Sequence, residues 1–373
     1  MRSLAVRLAL VVVATLFTLG VLEGILRVGE DDAEVAFRVA RRPYQTVPDP
    51  VVGYRPSPLS SFRATLKFPD GEVCYDVVYK ADAFGRRDVG LVDVPGRDRL
   101  LLFGCSYTFG EGLSDRDTLP YQLGSRFNVT NYAVHGYGPQ QTLALMRSGR
   151  PQGEVREPEA IGVYFFYPFQ LERAVVTSTT RWLYDSPFFE IDWDDHLRGF
   201  PSYAARHPWR TAVYRRMDAW NERWALLRRF PLRWPLREDP QRAELTAAIL
   251  IESSSRFEQR WQRPLTIAVV GSQQDPEAVR ELITRLRAAG VPVLDYSERE
   301  PSPDERLCYP RDLHPNGRFT RELADRLLRD LPHQPPGVVL LPRGSAGSGA
   351  NADPPGRGRK ASLTGDPARW ASS

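Results

Sequence analysis

Five short apolar runs alternate with helix-forming segments between residues 99 and 331, and this alternation limits the possible folds more than any other feature. The runs are typical of buried strands, and they are Arg99–Phe103, Val129–Val134, Ile161–Phe166, Thr266–Val270 and Val291–Tyr296. Helices are predicted between and after them, at Leu119–Arg126, Pro139–Arg147, Pro276–Ala289 and Phe319–Leu331. Such alternation predicts an α/β fold, a doubly wound parallel sheet flanked by helices. Ligands bind such sheets at the carboxyl ends of the strands.

The N-terminus carries a run that is apolar enough for a membrane. Arg2 and Arg7 precede the uncharged run Leu8–Leu22, and Glu30, Asp31 and Asp32 follow it. A bilayer-spanning helix needs about 20 residues. We therefore predict a cytoplasmic stub at 1–7 and a signal-anchor at 8–28, with the rest of the chain outside the cytoplasm under the positive-inside rule. A cleaved signal peptide is the alternative, although no small-x-small cleavage site follows the run.

Three further regions flank or interrupt the alternation. Residues 29–98 are predicted to form a linker and then a β-rich extension, because turn residues there precede alternating apolar residues. Residues 174–262 form an insertion rich in arginine and tryptophan within a domain predicted at 99–332. This segment could be a lid over the site, a surface that lies on anionic lipid or a cradle for an anionic glycan. The alternative is that its tryptophans simply pack inward. The tail, 333–373, is rich in Gly, Ser, Pro and Ala and is predicted to be disordered.

Composition excludes little beyond nucleic-acid binding. A net charge of +4 on 373 residues gives no global basic surface. The three cysteines, Cys74, Cys105 and Cys308, lack the C-x-x-C spacing of zinc sites. In an oxidising compartment one pair of them can bridge and leave one thiol free. Cys105 is interpreted as a small buried residue, with a catalytic thiol as the alternative.

Two segments carry the chemistry. The run Leu101–Phe103 leads into Gly104-Cys105-Ser106, and about two hundred residues later the chain reads Asp312-Leu-His314-Pro-Asn316. A serine hydroxyl is a poor nucleophile unless a base lies within hydrogen-bond reach and a third group orients that base. The sequence supplies all three groups, in the order Ser, Asp, His.

These segments resemble the motif blocks of the SGNH/GDSL hydrolases. The segment from Gly104 to Gly112 resembles the G-D-S-x-x-x-G block, with Cys105 where aspartate is common. The segment from Asn131 to Gly138 resembles the second block, and Asp312–Asn316 resembles the last. The resemblance covers roughly residues 99–331 and implies an SGNH-hydrolase or flavodoxin-like fold.

The resemblance also implies roles for individual residues. Ser106 is the expected nucleophile rather than a mere helix cap, His314 the general base, and Asp312 the group that orients His314. The backbone amides of Ser106 and Gly136 are the expected oxyanion donors, with Gly138 as an alternative to Gly136. No metal or cofactor is implied.

The third block departs from the family pattern. The family usually offers an asparagine amide there as a second oxyanion donor, but the strand end at 162–173 has no asparagine. Gln170, Tyr167 and Arg173 are the possible substitutes, and Asn316 is a further supporting residue. Loss of one such donor costs on the order of 100- to 1,000-fold in rate in other enzymes.

The sequence therefore predicts a serine esterase or O-acyltransferase that works through an acyl-serine intermediate. The resemblance implies an acylated carbohydrate or lipid of the cell envelope as substrate, at the inner membrane, with the catalytic domain facing the periplasm or exterior. The sequence leaves water and a sugar hydroxyl open as acceptors, and it leaves the oligomeric state open. The rivals are a catalytically inactive glycan- or lipid-binding module on the same fold, and a structural anchor protein.

Overall fold

The computed structural model describes residues 2–29, 45–68, 70–235 and 239–331. Most of the predicted linker and the predicted disordered tail at 333–373 lie outside these residues.

The described helices are α1 (Arg2–Val28), α2 (Ser106–Phe109), α3 (Leu119–Leu123), α4 (Pro139–Ser148), α5 (Arg150–Glu154), α6 (Gln170–Val175), α7 (Tyr203–Arg206), α8 (Pro208–Arg223), α9 (Ala225–Arg229), α10 (Arg242–Trp261), α11 (Pro276–Ala288) and α12 (Gly317–Asp330). The strands are β1 (Thr46–Asp49), β2 (Gly53–Pro56), β3 (Ser61–Lys67), β4 (Val73–Ala81), β5 (Arg87–Asp88), β6 (Arg99–Phe103), β7 (Asn128–Asn131), β8 (Ile161–Phe166), β9 (Phe188–Ile191), β10 (Leu197–Phe200), β11 (Leu265–Val270), β12 (Val293–Tyr296), β13 (Arg306–Cys308) and β14 (Asp312–Pro315).

A five-stranded parallel sheet forms the centre of the molecule, which confirms the predicted α/β class. Its strand order is β7-β6-β8-β11-β12, and the neighbouring strands are all parallel. Counted within the sheet this is the order 2-1-3-4-5, found in flavodoxin-type doubly wound sheets. Ligands bind such sheets where the order reverses, beside the first and third strands. Here those strands are β6 and β8, and Ser106 directly follows β6.

Helices cover both faces of this sheet because its strands are apolar on both sides. On β6, Leu100 and Leu102 face an apolar cluster that includes residues of α3 and α12. Leu101 and Phe103 face the opposite cluster, which includes residues of α4, α10 and α11. A parallel sheet that is buried on both faces requires continuous apolar runs rather than alternating ones, and the sequence shows such runs.

Two strands and one helix are shorter than predicted. β7 ends at Asn131 rather than Val134, because the Asn131 side chain accepts the amide of Ala133 at 3.0 Å and closes a turn. β12 begins at Val293 rather than Val291, and the intervening Pro292 has no N–H to add to the ladder. α3 ends at Leu123, just before Gly124, whereas the prediction extended it to Arg126.

Residues 45–88 contain two small antiparallel sheets, β1-β2 and β3-β4-β5. β3 alternates exposed and buried residues along its length, as a strand does when it covers a core on one face. Its buried face packs against β4 and against Phe109, at the end of α2. The small sheet therefore rests on the helix that begins at Ser106.

The predicted insertion, 174–262, divides into two parts. Its last helix, α10, packs on the central sheet through Phe257 and Trp261, so this part belongs to the main layers rather than to an insertion. The rest contains the β9-β10 hairpin and helices α7 to α9, around an apolar cluster that includes Tyr203 and Tyr214. Tryptophans in this part are substantially exposed, which disfavours the alternative that they simply pack inward; these are Trp182, Trp193, Trp209, Trp220, Trp224 and Trp234.

α1 is long and apolar enough to cross a membrane, over Leu4–Val28. The helix begins at Arg2, so it includes residues that were assigned to a cytoplasmic stub. Among the described residues, α1 contacts the rest of the chain near its C-terminal end, where Glu23 accepts the backbone amides of Ala225 and Leu226 at 2.9 Å each.

A disulfide bond joins Cys74 in β4 to Cys308 in β13, residues 234 positions apart, and leaves Cys105 as a buried free thiol. Closing so long a loop removes conformational freedom from the unfolded chain. The bond therefore ties the small sheet to the hairpin that carries Asp312 and His314.

Replacing both Cys74 and Cys308 by serine is expected to lower the free energy of unfolding by about 2–5 kcal/mol. Urea unfolding of the detergent-solubilised full chain, followed by circular dichroism, measures the loss. A thiol reductant should bring the wild-type protein to the stability of the double variant and leave the variant unchanged. Equal stability of wild-type protein with and without reductant would contradict the bond.

Candidate active site

Ser106 lies where the chain leaves the sheet and turns into α2. Gly104 comes just before this turn with a φ of 149°, and a Cβ there would lie 2.4 Å from Thr108 Oγ1, so only glycine fits. Cys105 is completely buried in the apolar cluster beneath the turn. This burial supports the small structural residue rather than the catalytic thiol. Ser106 itself is buried, at 5% exposure.

Asp312 and His314 both lie on β14, which pairs with β13 as an antiparallel hairpin. Residues two apart on a strand point to the same side, and this explains the spacing in Asp312-Leu-His314. Asp312 Oδ1 accepts the backbone amide of His314 and lies 2.8 Å from its Nδ1. The carboxylate therefore fixes both the ring orientation and the proton on Nδ1.

The structure brings the three predicted residues into one hydrogen-bonded chain. His314 Nε2 lies 3.0 Å from Ser106 Oγ, on the ring edge opposite Asp312. The Tyr107 hydroxyl donates to the carbonyl of Leu313 at 2.9 Å. This bond from Tyr107 to Leu313 holds the turn at Ser106 and strand β14 together.

A fourth ionisable group, which the sequence analysis missed, contacts the same nitrogen. Glu111 Oε2 lies 3.0 Å from His314 Nε2 and 3.2 Å from His135 Nδ1. The Tyr75 hydroxyl donates to the other carboxylate oxygen at 3.3 Å. Glu111 lies in the first motif block and His135 in the second, so a signal was present, but no spacing rule links them. Ser106 and Glu111 therefore compete for one edge of the imidazole.

Burial and charge set the protonation of this group of side chains. Burial lowers the pKa of His314, but the charges and hydrogen bonds of Glu111 and Asp312 outweigh it and raise the pKa to about 10. Burial raises the pKa of Glu111, yet the two histidines hold it well below its ordinary value. Burial lowers the pKa of His135 despite Glu111. At neutral pH the arrangement is an imidazolium at His314, a carboxylate at Glu111 and a neutral His135.

Three consecutive backbone carbonyls in the second block are held by side chains from three separate regions. The Tyr54 hydroxyl donates to the His135 carbonyl at 2.6 Å, and Trp182 Nε1 donates to the Gly136 carbonyl at 2.9 Å. Arg173 Nη1 donates to the Tyr137 carbonyl at 2.6 Å. Gly136 has a φ of 72°, and a Cβ there would lie 2.6 Å from the Tyr54 hydroxyl. The peptide that carries the expected oxyanion amide is therefore fixed on its carbonyl side.

The remaining predicted site residues have other roles. The amide of Gly138 donates to Gln141 Oε1 at 2.8 Å at the start of α4, so Gly136 remains the better oxyanion candidate. Asn316 caps α12 by accepting the amides of Arg318 and Phe319, at 3.0 and 3.4 Å. This explains its place just after the histidine without a role at the serine.

The proposed substitutes for the missing asparagine are also engaged. Gln170 is completely buried; its Oε1 accepts the Tyr164 hydroxyl at 2.7 Å and its Nε2 donates to the Phe165 carbonyl at 3.3 Å. Tyr167 is buried in the apolar core. Gln170 and Arg173 thus use polar groups elsewhere, and Arg173 acts on the loop of Gly136 as a brace.

Side chains of the kinds that bind metal ions form a cluster outside the serine site. Within the ranges that the structure describes, Asp192, Asp194 and His196 place one ligand atom each within 4.8 Å of one another. They lie in the turn between β9 and β10, and Asp192 pairs with Arg198. Exposed acidic turns of this kind are common without a metal, and none of the three residues belongs to the serine site.

Comparison with models of protein families found no match to this chain, and a search of the curated proteins found none either. The resemblance to the SGNH/GDSL hydrolases therefore rests on the motif residues alone.

Replacing Glu111 by glutamine is expected to lower the pKa of His314 by about 1–3 units, because it removes a buried negative charge in contact with Nε2. The titration is followed by NMR on the ring signals of the five histidines, with a His314→Gln variant to assign the signal. Glu252→Gln is the matched control, since its carboxylate pairs with Arg147 and should leave the signal unchanged. An unaltered pKa in Glu111→Gln would show that Asp312 alone sets it.

Proposed function

We propose that the protein is a serine esterase or O-acyltransferase of the SGNH type, acting through an acyl-serine intermediate. The observation that carries the proposal is the chain from Asp312 through His314 to Ser106, with contacts of 2.8 and 3.0 Å. Such a site requires a nucleophile, a base and a buried group that orients the base. Ser106 at the carboxyl end of β6 meets the first requirement, and His314 and the buried Asp312, two residues apart on one strand, meet the other two. The β-rich segment at 45–88 is the extension that the proposal assigns to a membrane-anchored member.

The chemistry follows from this arrangement. Nε2 of neutral His314 takes the proton of Ser106 as the serine oxygen attacks the ester carbonyl. The amides of Ser106 and Gly136 stabilise the negative charge that develops on the carbonyl oxygen. His314 then returns the proton to the leaving alcohol, and an acyl-serine remains. Water or a sugar hydroxyl, deprotonated by the same imidazole, then attacks the acyl carbon; the bond to the serine oxygen breaks, and His314 returns the proton to Ser106.

The protonation of His314 sets a condition on this chemistry. Because the charges of Glu111 and Asp312 raise the pKa of His314 to about 10, the imidazole is mostly protonated at pH 7. The proton on Nε2 must therefore leave before Ser106 can be activated, and activity should rise with pH across the neutral range. A substrate that displaces the Glu111 carboxylate from Nε2 would also favour loss of that proton and so make the imidazole available to Ser106.

The proposed substrate is an ester-linked acyl group on a cell-envelope carbohydrate or lipid. Three features support the location: a helix that is long and apolar enough to span a membrane, arginines in the first two turns of that helix, and a disulfide bond between Cys74 and Cys308. Disulfides persist in oxidising compartments. We therefore place the chain at the inner membrane, with its catalytic domain facing the periplasm or exterior.

A catalytically inactive binding module is the second candidate function. It is favoured by Glu111, which occupies the edge of His314 that a nucleophile needs. It is also favoured by the engagement of Gln170 in the core, which leaves the third block without its usual amide donor. On this alternative the site binds a glycan or lipid headgroup and does not turn it over.

A fluorophosphonate probe separates these two functions, because it labels only an activated serine. Wild-type full-length protein in detergent should be labelled, with a rate that increases from pH 6 to 9. Ser106→Ala should abolish labelling, and His314→Ala should slow it by at least about 1,000-fold. Ser125→Ala is the matched control, since that hydroxyl donates to Gln122.

Folded wild-type protein that remains unlabelled at every pH would favour the binding module. Labelling that persists in Ser106→Ala would mean that another nucleophile reacts.

A further inference from the structure

An exposed aromatic and basic surface lies on α8, on α9 and just after them. Trp220 is 45% exposed, Trp224 43% and Phe230 66%, although side chains of this kind are usually buried. Arg216 is exposed, and its guanidinium lies 5.9 Å from the Trp220 ring centroid. Arg229, directly before Phe230 in the sequence, is exposed as well. We refer to these five residues as the Trp–Arg face.

The Trp–Arg face is attached to the end of α1. Glu23 of α1 accepts the amides of Ala225 and Leu226, at the start of α9. Arg27 Nη2 donates to the carbonyl of Arg223 at 2.9 Å, and its Nε donates to Glu23 at 2.8 Å. These bonds flank Trp224 on both sides. The tryptophan is therefore held next to residues 23–27 of the apolar helix.

The position of Glu23 along α1 gives the depth of this contact. The helix rises about 1.5 Å per residue, so Glu23 lies about 28 Å from Leu4, where the apolar span begins. The hydrocarbon core of a bilayer is about 30 Å thick. The apolar span runs on to Val28, but the charged side chains of Glu23 and Arg27 are stable only at the headgroups. When Leu4–Leu22 fills the core, the Arg7 side chain extends to the headgroups of the opposite leaflet, and α9 lies at the level of Glu23 and Arg27.

The composition of the face matches that depth. Tryptophan concentrates at membrane–water interfaces, where its ring is in contact with both apolar chains and polar groups. Exposed arginines near the membrane surface are attracted to anionic headgroups. A protein partner would have to fit beside α1 within the headgroup layer, whereas lipid already occupies that layer.

We propose that the Trp–Arg face lies on the anionic phospholipid headgroups of the membrane that α1 enters. The proposal does not depend on the chemistry at Ser106. It assigns part of the arginine- and tryptophan-rich segment a role as an interfacial platform, which restricts how the domain tilts above the bilayer.

Tryptophan fluorescence provides the test, because α1 contains no tryptophan. Full-length protein is placed in nanodiscs of phosphatidylcholine with about one quarter phosphatidylglycerol, with or without bromine on the acyl chains near the headgroups. Bromine quenches tryptophans that reach it. We expect clear quenching in the wild-type protein and a reduction of the quenched fraction by about half in Trp220→Phe/Trp224→Phe.

Trp193→Phe is the matched control. Trp193 is 89% exposed, but Asp192, Asp194 and Asp195 surround it in sequence, and an anionic surface repels that turn. Its loss should leave the quenched fraction unchanged. Equal quenching in wild type and in the double variant would overturn the proposal. Wild-type protein that is not quenched would overturn it too, and so would protein that fails to elute with the nanodiscs.

Discussion

The serine site depends on how the β13–β14 hairpin is held against the end of β6. The central sheet positions Ser106, but His314 lies on a two-stranded hairpin that is not part of that sheet. Three attachments hold the hairpin: the bond from Tyr107 to Leu313, the cap of α12 at Asn316, and the disulfide at Cys308. Cys308 pairs with Asp312 across the hairpin, so the covalent bond acts next to the aspartate. The 3.0 Å contact between serine and histidine is the result of these attachments.

The electrostatics of the site follow from two oxygens that share one nitrogen. Nε2 carries either a proton or a lone pair. A carboxylate at 3.0 Å favours the proton, and a serine that must be deprotonated requires the lone pair. Burial strengthens the preference because a paired charge is screened less inside a protein than in water. The state that is stable at neutral pH is therefore not the state that attacks an ester. The proposed turnover therefore requires that this proton first leave Nε2.

The sheet and the three residues of the serine site could be predicted because each has a local signal. Fully apolar runs identify β6, β8 and β11, and two-residue spacing identifies the side-chain pair on β14. The role of Glu111 could not be predicted, because it depends on a contact with His135 that only the folded sheet creates. Gln170, one of the three possible substitutes for the missing asparagine, is engaged elsewhere for a related reason. Its position after β8 is the expected one, but the Tyr164 hydroxyl, on the same strand, takes up its side chain in the core. How deeply such a side chain is buried depends on the tertiary fold, which the local sequence does not reveal.

The segments outside the sheet belong to the site as much as the motif blocks do. The loop at residues 135–137 is held by Tyr54 from β2, Trp182 from the segment before β9, and Arg173 from α6. Oxyanion stabilisation requires donors that are fixed before the charge develops, since reorganisation at that moment would cost the energy that is gained. A chain without residues 45–88 would lose the bond from Tyr54 and, with Tyr75, one of the partners of Glu111. The small sheet and the arginine- and tryptophan-rich segment therefore fix the loop at residues 135–137, and the unit that holds the serine site in place is larger than the α/β domain alone.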